Sequence, residues 1–65
     1  MITINNADQL DPIQLIVVQE DIARRHPNLS CYTITTGNNC IWVYWGSINL
    51  YYIFNGTKLV DVQID

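Results

Sequence analysis

The stretch Cys40-Ile41-Trp42-Val43-Tyr44-Trp45-Gly46-Ser47-Ile48-Asn49-Leu50-Tyr51-Tyr52-Ile53-Phe54 decides the fold. Gly46-Ser47 is a hairpin signal between two aromatic and β-branched runs. Closing it as a two-residue turn pairs Trp45 with Ile48, Val43 with Leu50 and Ile41 with Tyr52. Because side chains alternate along a strand, one face then collects Ile34, Ile41, Val43, Trp45, Ile48, Leu50, Tyr52 and Phe54. This face is expected to carry the core. The same register sets Trp42 opposite Tyr51, Tyr44 opposite Asn49 and Cys40 opposite Ile53 on the other face.

Outward from this hairpin, Gly37-Asn38-Asn39 and Asn55-Gly56 mark two further turns, flanking strands predicted over 30–36 and 58–64. Short loops connect antiparallel neighbours, so four consecutive strands form a meander. At Asn55-Gly56 a strict two-residue turn would turn Val60, Val62 and Ile64 away from the core. A three-residue loop with Gly56 in the left-handed region and a bulge would bring them back, and that is the expected arrangement.

Upstream, Asp11 is a helix N-cap, with Pro12 at the first helical position and Gln14 three residues after the cap as a capping-box variant. Leu10 and Leu15 make the matching hydrophobic staple. Arg24, Arg25 and His26 complement the negative end of the helix, and Pro27 stops it. At 100° per residue, Leu15, Ile16, Val18, Ile22 and Ala23 form the stripe expected to face the sheet. Ile13 and Val17 fall on the opposite side beside Glu20 and Arg24, which are spaced for a surface ion pair. Ile2-Thr3-Ile4 reads as an edge strand. The expectation is one α+β domain over residues 1–65: an amphipathic helix on an antiparallel four- to five-stranded sheet, in a β-α-β-β-β-β meander.

Composition bounds the function. Sixty-five residues allow one core, and 49% hydrophobic against 14% charged residues is too apolar for a disordered tail. A net charge of −3, with only Arg24, Arg25 and Lys58 as strong bases, argues against a duplex nucleic-acid binder or an anionic membrane surface. There is no basic leader or long apolar run, so a cytoplasmic location is expected. With Gly37-Asn38 as the turn, Cys40 faces Thr35 and Cys31 lies about 13 Å further along, beyond disulfide reach. A zinc site would have only His26 to add, so free cysteines and no metal or cofactor are expected. His26 reads as a partner of the helix dipole. No serine or cysteine sits in a nucleophile context, and Asp61 and Asp65 are too far apart for a carboxylate pair. No enzyme activity is expected.

The feature that stands out is the outer sheet face. With only one helix available, that face should be polar; instead it carries Trp42, Tyr44, Tyr51 and Ile53, with Cys31 and Cys40 beside them. Aromatic side chains dominate interface hot spots. Two partner-binding surfaces are therefore proposed from the sequence: Trp42, Tyr44, Tyr51 and Ile53 on the sheet, and Ile13, Val17, Glu20 and Arg24 on the helix. Three functions fit: a protein-binding inhibitor or adaptor, a homodimeric structural module, and a single-stranded nucleic-acid binder that stacks bases on the rings. The absence of a basic groove ranks the last below the others.

In length, acidity (pI about 4.6) and absence of a catalytic constellation, the whole chain resembles the small single-domain proteins that bacteriophages use against host defences, anti-CRISPR proteins among them. The interface-like sets Cys40–Trp45 and Leu50–Phe54 carry the likeness further. The resemblance implies a stoichiometric inhibitor in the host bacterial cytoplasm. Such an inhibitor docks on a protein effector complex that targets nucleic acid, with aromatic contacts dominating and acidic charge steering.

Overall fold

The computed structural model describes residues 1–65. Its elements are β1 (Ile2–Asn5), a 3-10 turn (Ala7–Gln9), α1 (Pro12–Arg25), β2 (Tyr32–Gly37), β3 (Cys40–Trp45), β4 (Ile48–Asn55) and β5 (Lys58–Ile64). The strands form one sheet in the order β1-β2-β3-β4-β5.

The α+β class holds, but the sheet is mixed. β1 pairs with β2 in parallel, Ile2 to Tyr32 through Asn5 to Thr35, and only β2 to β5 form the antiparallel meander. The chain leaves β1 at one end of the sheet, and α1 carries it back to start β2 beside it. A helical crossover of this kind is what a parallel neighbour requires, where a short turn would give an antiparallel one.

The central hairpin has the register read from its turn, from Cys40 opposite Ile53 to Trp45 opposite Ile48. Two flanking registers differ. The β2–β3 turn is Asn38-Asn39, which sets Gly37 opposite Cys40 and Thr35 opposite Trp42. Asn39 takes the left-handed conformation (φ 55°), which asparagine tolerates better than most residues. The two-residue shift leaves every side chain on its expected face and moves Cys31 further from Cys40. At the last hairpin Gly56 is left-handed (φ 64°), but the turn is Gly56-Thr57, with Asn55 opposite Lys58. The bulge falls inside β5 instead: Phe54 faces Leu59 and Ile53 faces Asp61, so Val60 is the extra residue. Leu59, Val62 and Ile64 thus point to the helix side, while Val60 is 54% exposed.

Asp11 caps α1 by accepting from the Ile13 amide at 2.8 Å. Gln14 closes no capping box; its Nε2 donates to the Gly56 carbonyl at 2.6 Å, tying the helix start to the β4–β5 turn. Val18 and Ile22 pack on Tyr32, Ile34, Ile41, Val43, Leu50, Tyr52 and Phe54 as one buried cluster. Ile16 and Ala23, expected on this face, are exposed, whereas Asp21 is buried and Val17 packs against the cluster. The helix is rolled because Tyr52, on a central strand, sends its hydroxyl up into it. Only a polar side chain can meet that group, and Asp21 does, at 2.7 Å. The roll also breaks the expected Glu20–Arg24 pair, since Arg24 and Arg25 both bind Asp21. Trp45 and Ile48, at the sheet end, are only partly covered.

Candidate functional site: the outer face of the sheet

With α1 on one side, period-two alternation sends Cys40, Trp42 and Tyr44 from β3, and Asn49, Tyr51 and Ile53 from β4, to the uncovered side. Pairing across all strands builds rows. The central row runs Asn5–Thr35–Trp42–Tyr51–Gln63, with Thr3–Thr33–Tyr44–Asn49 on one side of it and Cys40–Ile53–Asp61 on the other. The sheet therefore presents an aromatic centre on β3 and β4, bordered by hydroxyl and amide side chains and by Asp61.

The rings hold one another. Trp42 lies 4.4 Å from Tyr44, tilted by 33°, and 6.1 Å from Tyr51, nearly parallel at 11°. The Trp42 indole Nε1 donates to Asn49 Oδ1 at 2.9 Å, which fixes its orientation. Asn5 Nδ2 donates to Thr35 Oγ1 at 3.2 Å at the β1 border. Trp42 remains 36% exposed, while Tyr44, Tyr51 and Ile53 are half-buried. The result is a preorganised apolar platform with its polar groups at the margin, as at protein–protein hot spots.

Beside Tyr44 a cleft of about 520 Å³ opens, walled by Met1, Thr3, Cys31, Thr33 and Trp45. The terminal ammonium of Met1 donates to Cys31 Sγ at 3.1 Å and, with Ser30, holds the exposed thiol below its usual pKa. Burial pushes the Cys40 thiol up. Both cysteines are free, and no three His, Cys, Asp or Glu side chains lie close enough together to hold a metal ion. His26 stands edge-on to Trp45 at 5.0 Å. No helix is long and apolar enough to cross a membrane.

Trp42, Tyr44, Tyr51 and Ile53 thus come together as the sequence suggested. Ile13, Val17, Glu20 and Arg24 do not extend this surface, because the helix lies on the opposite side of the sheet. Ile13 is 55% exposed, Val17 packs on the core, and Arg24 is committed to Asp21.

The sequence reading missed the Asp21 cluster. Asp21 accepts from Tyr52 and pairs with Arg25 Nε at 2.6 Å and with Arg24. Burial and the adjacent carboxylate push the Tyr52 phenol well above the usual tyrosine range. Two signals were present: a core-facing tyrosine needs an acceptor, and Arg24 and Arg25 stand three and four residues after Asp21.

No protein-family model matches the chain, and no curated protein and no solved structure is significantly similar to it.

Proposed function

We propose that the protein is a non-enzymatic, protein-binding inhibitor that docks its target through the outer face of the sheet. Trp42, Tyr44 and Tyr51 form the anchor, with Ile53 beside them. The target class suggested by the anti-CRISPR resemblance is a bacterial effector complex that acts on nucleic acid. The observation that carries the reading is the ring cluster on an uncovered sheet: Trp42 is oriented by Asn49 and two tyrosines, yet stays 36% exposed. A rigid aromatic anchor loses little entropy on binding, and the polar rows around it suit an interface rim.

The same rings could stack nucleobases, but the only basic side chain on this face is Lys58, opposite Asn55 at the far end and offset by Asp61, while Arg24 and Arg25 lie on the helix side, tied to Asp21. A phosphate backbone would meet no basic groove there, which favours a protein partner. The test is capture from bacterial lysate on tagged wild-type protein beside the Trp42→Ala/Tyr51→Ala variant. Stoichiometric retention of one complex by the wild type, lost in the folded variant, is the expected result. Equal retention by both proteins would remove the sheet face from the function.

A further inference from the structure

We infer that the open edge of β5 is a self-association site, at which two copies pair antiparallel about a two-fold axis through Val62. Asn49 and Asp65 exchange both backbone hydrogen bonds, at 3.2 and 2.9 Å. By antiparallel alternation, Asp61 and Gln63 also turn their amides and carbonyls toward β4. Val62 and Ile64 turn theirs to the open edge, where no strand receives them.

Apolar side chains collect along the same margin. Ile13, Val60 and Ile64 are 55%, 54% and 65% exposed, and Val17 and Val62 are only half-covered. The backbone of α1 approaches that of β5, and Gln14 ties the helix start to the β4–β5 turn, so the helix flank and the strand edge form one border. An open strand with apolar neighbours is a template for pairing.

The occupant that fits is a second copy, because the edge is complementary to itself. With Val62 on the axis, Val62 meets Val62 through its free amide and carbonyl, and Asp61 of each copy faces Gln63 of the other. Gln63 Nε2 already reaches Asp61 Oδ2 within its own strand at 3.3 Å, so the amide suits that neighbour. Centring the pair on Gln63 would instead set Asp61 opposite Asp65 twice, and like charges directly opposite destabilise a sheet. In this register Val60 of each copy faces Ile64 of the other, so the bulge at Val60 bounds the pairing symmetrically at both ends. A two-fold axis of this kind is perpendicular to the sheet, so both aromatic platforms would face the same way. Pairing through β5 would thus leave the proposed docking face free and present it twice, which raises avidity for a target with repeated sites.

The test is solution mass by light scattering across micromolar to millimolar protein, for the wild type, Ile64→Lys and Trp42→Ala/Tyr51→Ala. The expected outcome is a concentration-dependent dimer, lost in Ile64→Lys and kept in the aromatic variant. Register is read by oxidative cross-linking in a Cys31→Ser/Cys40→Ser background. Val62→Cys should form a disulfide between copies, because residues opposed as a hydrogen-bonded pair lie within disulfide reach, and Gln63→Cys should not. A wild type that stays monomeric throughout, or a dimer that survives Ile64→Lys and disappears with the aromatic variant, would overturn the edge. Cross-linking at Gln63→Cys alone would overturn the register.

Discussion

Replacing Tyr52 with Phe tests the buried cluster that sets the roll of the helix. Tyr52 is fully buried and Asp21 is 3% exposed, and the phenol donates to Asp21 at 2.7 Å. Phenylalanine keeps the ring in place, so almost no cavity forms and the loss reports the hydrogen bond. A bond to a charged acceptor contributes about 1.5–3 kcal/mol. For a domain this small, a loss of about 2 kcal/mol lowers Tm by about 8–16 °C. Asp21→Ala should cost a similar amount by orphaning the phenol, with little added by the Arg24 pair, whose guanidinium side is 73% exposed. In urea unfolding at constant slope, the two substitutions should be coupled by about 1–2 kcal/mol, because the second removes a bond already lost.

The same bond sets a pH dependence. The folded-state pKa of Tyr52 is raised above the ordinary tyrosine value near 10 by burial and then by Asp21. The neutral phenol is therefore favoured by folding, and its contribution is fully present below about pH 10 and lost as pH rises beyond it. Tyr52→Phe should flatten that alkaline decline. Tyr32, also raised by burial, leaves a residual slope. A Tyr52→Phe protein within about 0.5 kcal/mol of wild type, uncoupled to Asp21, would refute the reasoning.

Other substitutions probe the turns and caps. Asp11→Ala should cost about 1 kcal/mol in urea unfolding, because the Ile13 amide loses its acceptor. Gly56→Ala should cost about 1–2 kcal/mol from backbone strain alone: φ is +64° and nothing lies within 4 Å of an added methyl group. Thr36→Val should raise stability by about 1 kcal/mol, since the buried Thr36 hydroxyl has no partner and valine matches its shape. A loss of stability in Thr36→Val would instead mean that the hydroxyl is hydrogen-bonded in solution.

The central hairpin was fully legible because one turn, Gly46-Ser47, fixes every pair from Trp45–Ile48 to Cys40–Ile53. The helix bounds were equally clear from Asp11, Pro12 and Pro27. Three features were not. The direction of β1 depends on how α1 crosses the sheet, a tertiary property with no local signature. In the β2–β3 and β4–β5 turns more than one residue could take the left-handed conformation, so Asn39 and the position of the Val60 bulge were decided by pairing. Helical periodicity places apolar residues on a face but cannot foresee that a polar bond will rotate that face. Tyr52 and Asp21 did so, exposing Ile16 and drawing in Val17. The aromatic platform was legible for the reason the hairpin was: once the register is fixed, Trp42, Tyr44, Tyr51 and Ile53 have only one face to occupy.

The most direct test of the docking-face account is urea unfolding of the Trp42→Ala/Tyr51→Ala variant. If the outer rings are displayed rather than structural, they contribute only their mutual contacts and partial burial, and the variant should unfold cooperatively with a loss of about 1–2 kcal/mol. A loss of about 4 kcal/mol or more, the scale of a core cavity, would show that these rings hold the sheet together and would contradict a face kept free for a partner.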